Sequence, residues 1–428
     1  MTSAVLILSL FAFMILNVPV GIAIGLASTS AILVGGRLSL SFIPQALVTG
    51  TDSFPIMAIP LFILAGELMG NGGISKRLLN VADALLGHIT GGLAIVTVAV
   101  CMFFAAVSGS GPATVAAVGA MVVPGMLALG YDMSFILALI AAAGSIGVII
   151  PPSIPMIIYG VSTSTSISTL FIAGFIPGIL IGLSLMVYVY FYCKKKGWKG
   201  TDRPFSGKRV LSSVWLGKWA LIDPIIILGG IYSGIFTPTE AAAVAAVYAF
   251  VCGMFIYKEF TFKSLMKTIG NACSTTGTVM VILGCATAFT KILTLEQVPL
   301  HVANAITAFT TSRILVLVLM NVLLLIVGCF MDTTPAMMVL APILLPIAMK
   351  FGLSPIQFGL IMVVNLSIGF ITPPLGINLF VAARVGNTTL DNVVRGIIPF
   401  FIINILDLLL ITYIPAITMF LPHMFGVA

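Results

Sequence analysis

Glycine, proline and hydroxyl residues cluster at four points of this sequence, each inside an otherwise apolar segment. Two clusters are residues 108–112 (SGSGP) and 331–335 (MDTTP), and the others surround the Pro-Pro pairs at 151–152 and 373–374. Glycine permits unusual backbone angles and proline lacks an amide donor, so such clusters end helices and leave backbone groups without helical partners. Carbonyl and hydroxyl oxygens suit Na⁺, whereas the amides at a helix N-terminus suit an anion.

Asp332 is the only acidic residue in these clusters. An ionisable residue inside an apolar segment is a functional candidate because its burial in a membrane is costly. The alternative is that Asp332 caps a helix that begins next to Pro335. Both roles are compatible, since a capping carboxylate still has oxygen lone pairs for a cation.

The composition requires a lipid environment for most of the chain. Hydrophobic residues make up 60% of the 428 residues and charged residues only 7%, and the mean hydropathy is +1.24. A soluble domain carries about 25% charged residues, so this chain has too few charges to cover a surface in water. The composition excludes a soluble enzyme, a nucleic-acid-binding protein and a disordered protein, and it predicts an all-α polytopic membrane protein.

The two halves of the chain resemble each other. Residues 145–152 (SIGVIIPP) and 367–374 (SIGFITPP) share six of eight positions at an offset of 222. Each half also contains an amphipathic stretch followed by two interrupted apolar segments, which favours an internal duplication over chance matching. The predicted units are a first repeat at 1–193 (hairpin about 93–129, broken helix about 135–160), a basic loop at 194–219, and a second repeat at 220–428 (hairpin about 314–349, broken helix about 358–383).

Charge predicts the orientation of these units. Eight of the 19 basic residues lie in 194–219, and Lys76 and Arg77 lie on the first amphipathic stretch, so both are predicted to be cytoplasmic. Counting spans from them places both termini outside and makes the hairpins enter the membrane from opposite sides, as inverted repeats. Single basic residues at Lys291, Arg313 and Lys350 fall outside in this arrangement and argue against it.

Four stretches resemble the large membrane (permease) subunit of TRAP (tripartite ATP-independent periplasmic) transporters: residues 109–114 (GSGPAT), 237–243 (TPTEAAA), 332–336 (DTTPA) and 371–376 (ITPPLG). The resemblance covers essentially the whole chain. It implies a transporter of the bacterial inner membrane that imports an organic acid, such as sialic acid or a C4-dicarboxylate, driven by Na⁺. It also implies an elevator fold, in which a scaffold domain and a transport domain are each built from both repeats.

The resemblance further implies two partners and one coupling ion. A soluble periplasmic substrate-binding protein would deliver the substrate. A small four-helix membrane subunit would complete the system, and it is expected as a separate chain because 428 residues leave no room for it. No cofactor is expected apart from Na⁺ as the coupling ion.

Mapped onto this sequence, each Na⁺ site pairs a hairpin tip with the helix interruption of the same repeat, and the substrate lies between the two sites. The predicted Na⁺-binding residues are Ser108, Gly109, Ser110, Gly111, Ser145, Gly147 and Ile149 in the first repeat, and Gly328, Asp332, Thr333, Thr334, Ser367, Gly369 and Thr372 in the second. The predicted substrate-binding residues are Thr114, Ser153, Pro335 and Asn378.

Three other functions are alternatives. A self-sufficient Na⁺/anion symporter or ion antiporter of related fold would share the repeats and broken helices but would need no binding protein. An intramembrane serine hydrolase would need a base, and no histidine lies in a central apolar segment. A channel is disfavoured because two hairpins from opposite sides favour alternating access.

Overall fold

The computed structural model describes residues 2–16, 18–35, 38–200 and 205–427, with backbone only at 307–309. Asp202 and Arg203 of the predicted basic loop lie outside the described residues. These ranges contain twenty α-helices and no β-strand. The helices are α1 (Thr2–Ile15), α2 (Val20–Gly35), α3 (Phe42–Thr49), α4 (Ala58–Asn71), α5 (Ile74–Leu86), α6 (Gly92–Ser108), α7 (Gly111–Ala128), α8 (Met133–Ser145), α9 (Ile154–Thr163), α10 (Ile167–Lys196), α11 (Gly207–Tyr232), α12 (Pro238–Val251), α13 (Phe262–Leu295), α14 (Val298–Phe309), α15 (Arg313–Phe330), α16 (Thr333–Lys350), α17 (Pro355–Gly369), α18 (Ile377–Val385), α19 (Leu390–Tyr413) and α20 (Ala416–Met424).

The predicted fold class is confirmed. Within the described ranges, nine helices are long and apolar enough to cross a membrane. All backbone groups of such helices are paired within the segment, which is what a bilayer demands. The apolar helices therefore make this a polytopic helical membrane protein.

Both predicted hairpins are present, and local chemistry explains their turns. Helix α6 ends at Ser108 because Gly109 adopts a left-handed φ of 59°. Helix α7 then begins after Ser110, whose hydroxyl accepts a hydrogen bond from the amide of Ala113. In the second hairpin, α15 ends at Phe330 and α16 begins after Asp332, whose carboxylate accepts from the Thr333 amide at 2.6 Å. Hydroxyl and carboxylate caps of this kind satisfy amides at helix starts.

Both predicted broken helices are also present, as α8–α9 and α17–α18. A serine near the start of each break is hydrogen-bonded in the same way: Ser145 donates to the carbonyl of Ala142, and Ser367 donates to that of Val364, both at 2.7 Å. The sequence offset of 222 is therefore repeated in these hydrogen bonds. The helix ends differ slightly, because α8 ends at Ser145 whereas α17 continues to Gly369.

The two repeats are interlocked. Helix α7 of the first hairpin packs against α18, and α16 of the second hairpin packs against α9. Each hairpin thus contacts the distal half of the other repeat's broken helix. In the same way, α8 of the first repeat packs against α19 of the second, and α17 of the second repeat packs against α10 of the first. This reciprocity brings the two hairpin tips to the middle of one assembly of helices.

Residues 194–219 differ from the predicted loop because most of them are helical. Helix α10 extends to Lys196, and α11 begins at Gly207, which leaves a short connection. Lysine, arginine and leucine are good helix formers, and an ion pair between Arg209 and Asp83 holds the start of α11 against α5. The charge cluster therefore lies on two helix ends. Its side of the membrane remains a prediction.

The stretch 237–243, which contributed to the family resemblance, has a structural role here. Thr237 and Glu240 form a reciprocal capping box at the start of α12: the Thr237 amide donates to the Glu240 carboxylate at 2.8 Å, and the Glu240 amide donates to the Thr237 hydroxyl. The Thr239 hydroxyl donates to the carbonyl of Phe54, just before α4. The motif therefore fixes the start of α12 beside α4.

Candidate functional site

The first hairpin tip lies directly against the first helix interruption. A Cβ added to Gly147 would lie 2.6 Å from the Thr114 hydroxyl and 2.7 Å from the Ser110 carbonyl oxygen. Only glycine permits this approach. The predicted pairing of tip and interruption within the first repeat is therefore present as a contact.

Hydroxyl and carbonyl oxygens converge at this tip. The Thr114 hydroxyl donates to the Ser110 carbonyl at 2.8 Å and lies 3.0 Å from the Ser108 hydroxyl. Ser108 and Thr114 are buried. The tip thus concentrates neutral oxygen atoms of the type that bind Na⁺, and no cationic side chain bonds to them within the described residues.

The second tip meets the second interruption through two glycines. A Cβ added to Gly369 would lie 2.5 Å from the carbonyl carbon and 2.7 Å from the Cα of Gly328. These are backbone atoms, so no side-chain rotation could relieve the overlap. The carbonyl of Gly328, two residues before the end of α15, is consequently held against the end of α17.

A cavity of about 230 Å³ joins the two tips. One wall is formed by the tips and the start of α9, and the other by α4 and α13. Its lining residues carry hydroxyls and two carboxylates, from Glu67 and Asp332, and none of them is Lys, Arg or His. The lining residues are Ile63, Gly66, Glu67, Ser108, Gly109, Ser110, Pro112, Ala113, Val148, Ile154, Pro155, Thr275, Val279, Asp332, Thr333, Thr334 and Phe370.

The starts of α7 and α16 both lie at this cavity. Pro112 and Ala113 come from the first turn of α7, and Thr333 and Thr334 from the first turn of α16. The first turn of a helix presents amides without helical acceptors, and it carries the positive end of the helix dipole. The cavity therefore combines two helix N-termini with two carboxylates.

A second cavity of about 380 Å³ lies on the other side of the second tip. Gly328, Asp332 and Gly369 line it together with Arg384, and most of its remaining surface is apolar. Asp332 lines both cavities. The second tip therefore borders both cavities.

The structure brings many of the predicted Na⁺-binding residues together. Ser108, Gly109, Ser110, Asp332, Thr333 and Thr334 line the first cavity, and Gly328 and Gly369 line the second. The others lie behind the tips and line neither cavity: Gly111, Ser145, Gly147, Ile149, Ser367 and Thr372.

None of the four predicted substrate-binding residues lines the cavity between the tips. Thr114 bonds within its tip, Ser153 donates to the carbonyl of Val148 at 2.5 Å, and the Asn378 amide donates to the carbonyl of Ala141 at 3.0 Å. Pro335 is buried in the first turn of α16. Thr114, Ser153 and the Asn378 amide nitrogen therefore bond to protein groups near the tips and interruptions, whereas the buried Asn378 side-chain oxygen has no hydrogen-bond partner among the described residues. Their role in substrate binding stays a prediction.

Sequence reasoning missed the opposite wall of the cavity. Glu67 and Gly66 of α4 and Thr275 of α13 face the tips. A Cβ added to Gly66 would lie 3.1 Å from the Cα of Ser108, so α4 passes close to the first tip. The available signal was Glu67 itself, an acidic residue at the end of an apolar segment.

The described residues contain no group of three or more His, Cys, Asp or Glu side chains that could hold a metal ion. Transition metals prefer such ligands, whereas Na⁺ is satisfied by carbonyl, hydroxyl and single carboxylate oxygens. The donors at the two tips belong to the second type.

Comparisons with known proteins show the family to which the chain belongs. A family model described as "Tripartite ATP-independent periplasmic transporter, DctM component" matches residues 7–417. The isethionate TRAP transporter permease protein DctMQ of Oleidesulfovibrio alaskensis is 50% identical over 95% of the chain, which spans 64% of that relative's length. The C4-dicarboxylate TRAP transporter large permease protein DctM of Pseudomonas aeruginosa is 42% identical over 95% of both proteins.

A solved structure shares the fold. The YdaH transporter of Alcanivorax borkumensis superimposes with a TM-score of 0.58 over 87% of this chain and 88% of that one, at 17% sequence identity. At this identity the likeness concerns the fold alone.

Proposed function

Because the chain belongs to the DctM component family of tripartite ATP-independent periplasmic transporters, we propose that it imports an organic acid anion in symport with Na⁺. Its relatives are transporter permeases, so the chain is a multi-pass membrane transport protein and not an enzyme. The observation that carries the proposal is the cavity between the two hairpin tips, which joins helix N-termini, hydroxyls and two carboxylates without a basic side chain.

Charge balance supports Na⁺ as the coupling ion. An anion that enters this cavity meets the carboxyl groups of Glu67 and Asp332, and several negative charges close together in a medium of low dielectric repel each other strongly. Na⁺ ions at the tips would offset this repulsion. Each tip offers oxygen donors next to its interruption, at Ser110 beside Gly147 and at Gly328 beside Gly369.

The starts of α7 and α16 support binding of an anionic substrate. The positive ends of their dipoles favour a carboxylate or sulfonate, although the Ala113 and Thr333 amides are already bonded to Ser110 and Asp332. Hydroxyls of Ser110, Thr333 and Thr334 lie beside these helix starts. Two relatives are named for isethionate and for C4-dicarboxylates, both small organic acids. We therefore place the substrate among the tip residues and α4–α13, and we assign Thr114, Ser153, Pro335 and Asn378 a positioning role.

Helix packing supports an elevator mechanism. Helices α1–α5 and α11–α13 pack largely on one another, and they would form the scaffold. The hairpins, broken helices, α10 and α19 form a second set, which would form the transport domain. The cavity lies between the two sets. Where α4 contacts the first tip, the residue on α4 is Gly66, which has no side chain. In this mechanism Na⁺ orders the tips, the anion docks on them, and the second set carries both across the membrane.

Two partners complete the proposal. The Pseudomonas relative is named a large permease protein, which supports a smaller partner permease for this chain. The family is described as a tripartite periplasmic transporter, which supports delivery of the substrate by a soluble binding protein in the periplasm. We place the chain in the bacterial inner membrane with both termini periplasmic.

The proposal is tested by uptake into proteoliposomes that contain this chain and its small subunit. Radiolabelled isethionate and C4-dicarboxylates would be presented with their periplasmic binding protein, under an inward Na⁺ gradient or an equal K⁺ gradient. We expect accumulation only when both the Na⁺ gradient and the binding protein are present. Liposomes without the chain provide the background.

Other outcomes favour other functions. Uptake that needs Na⁺ but no binding protein would indicate a self-sufficient Na⁺/anion symporter. Uptake of equal size under the K⁺ gradient would contradict Na⁺ coupling. Discharge of a Na⁺ or proton gradient without any organic acid would indicate an antiporter.

A further inference from the structure

A cleft between α5 and the first half of α11 has no part in the transport mechanism above. The two helices approach closely there, since a Cβ added to Gly217 would lie 3.0 Å from Cγ2 of Val81. Beside this crossing is a cavity of about 240 Å³ with two guanidinium groups, a side-chain amide and a hydroxyl in its lining. The lining residues are Arg77, Asn80, Arg209, Ser213, Leu216 and Gly217.

Both arginines are held in position by other parts of the protein. Arg209 forms an ion pair with Asp83, and Arg77 forms one with Glu259 at 3.1 Å and lies 3.7 Å above the ring centre of Tyr257. Both remain partly exposed, with side-chain exposures of 30% and 23%. A guanidinium has five N–H donors, so one carboxylate leaves donors for a second anion. The fixed geometry lowers the entropy cost of binding it.

The surroundings of the cleft favour an anion. The described parts of α5, of α11 up to Trp219, and of the chain from 258 to 267 contain eight basic residues against two acidic ones. The acidic residues are Asp83 and Glu259, and both already pair with the cleft arginines. The positive excess is therefore not neutralised within this part of the structure.

The mouth of the cleft has the character of a membrane–water interface. Leu211 is 71% exposed, and Trp215 and Leu216 are each 68% exposed, on the helix that forms one wall. The Lys218 ammonium lies 3.6 Å from the ring centre of Trp215. Exposed tryptophan beside lysine is typical of the level at which lipid headgroups meet acyl chains. The exposed apolar side chains of α11 therefore lie next to the two guanidinium groups of the cleft. This combination suits a ligand with an anionic head group and an apolar tail.

We propose that this cleft binds the phosphate of an anionic phospholipid. Arg77 and Arg209 would hold the phosphate with support from Asn80 and Ser213, and an acyl chain would run along Leu216 and Trp215. Phosphate accepts bidentate hydrogen bonds from guanidinium, and basic pockets between membrane helices on the cytoplasmic side are suited to such headgroups. The proposal is independent of the substrate and of Na⁺ coupling.

The test measures thermal unfolding of the purified full-length chain in detergent while phosphatidylglycerol is titrated. We expect phosphatidylglycerol to raise the unfolding midpoint. In the double variant Arg77→Gln/Arg209→Gln, the concentration that gives half of the shift should rise at least about tenfold. Phosphatidylcholine, which is zwitterionic, should produce a smaller shift in the unaltered chain.

A matched variant separates lipid binding from loss of the ion pairs. Asp83→Asn/Glu259→Gln breaks the same two ion pairs but keeps both guanidiniums, so its response to phosphatidylglycerol should equal or exceed that of the unaltered chain. An equal loss of response in both double variants would overturn the proposal, and so would full retention in the arginine variant. A shift of the same size with glycerol phosphate would exclude the lipid as the specific ligand. In a parallel co-purification with the small membrane subunit, loss of that subunit from the arginine variant alone would overturn the proposal and assign the cleft to a protein contact.

Discussion

We expect Gly369→Ala to raise the Na⁺ concentration needed for half-maximal uptake by about ten- to hundredfold. The added methyl would lie 2.5–2.7 Å from backbone atoms of Gly328, which would push the second tip away from its interruption. Overpacking of this kind costs about 1–3 kcal/mol, and each 1.4 kcal/mol is about tenfold in affinity. The measurement is the Na⁺ dependence of initial uptake in proteoliposomes.

Gly270→Ala is the matched control for this substitution. Gly270 lies in α13, and an added Cβ there has no neighbour within 4 Å among the described residues. The control should keep the Na⁺ dependence of the unaltered protein. Identical Na⁺ curves for both variants would contradict a role for the Gly328–Gly369 contact in Na⁺ binding. Size-exclusion profiles of both proteins establish that the altered chain is folded.

Asp332→Asn should weaken activation of uptake by Na⁺ by about tenfold or more. Asparagine keeps an oxygen that can accept from the Thr333 amide, so α16 can still begin at the same residue. The substitution removes the charge of a side chain that lines both cavities. Hydrogen bonds to charged groups contribute about 1.5–3 kcal/mol. Because each 1.4 kcal/mol is about tenfold in affinity, we expect a change in Na⁺ activation of about tenfold or more.

Asp391→Asn is the matched control, because it removes an acidic side chain that lies away from the two cavities. Asp391 is exposed in the first turn of α19, and it lines neither of the two cavities. We expect its Na⁺ curve to match that of the unaltered protein. If Asp332→Asn also leaves Na⁺ activation unchanged, Asp332 acts only as the cap of α16.

The helix interruptions could be predicted from the sequence because their causes are local. Gly109 adopts a left-handed conformation, Ser110 and Asp332 cap the helices that follow them, and the Pro-Pro pairs mark both breaks. The repeat of residues 145–152 at 367–374 then predicted which tip lies beside which interruption. The contacts at Gly147 and Gly369 follow that prediction.

The facing wall of the cavity could not be predicted in this way. Glu67 and Thr275 are about two hundred residues apart in the sequence and meet the tips only through the packing of α4 and α13. Side-chain direction was equally inaccessible: Ser153 and Asn378 lie near the interruptions, but each side chain hydrogen-bonds to a backbone carbonyl. The ion pair of Arg209 with Asp83 of α5, which holds the start of α11 in place, is a long-range contact that no local pattern indicates.

The central claim of the proposed mechanism is that the hairpin tips move past α4 and α13 and carry the bound anion and Na⁺ with them. Ala113 of the first tip and Val279 of α13 line the same cavity from opposite walls. In a chain whose six cysteines are replaced, Ala113→Cys/Val279→Cys would be joined by a short, reducible thiol crosslinker, and Na⁺-driven uptake would be measured before and after reduction. The account predicts that crosslinking abolishes uptake and that reduction restores it. Uptake at the full rate by the crosslinked protein would contradict the account.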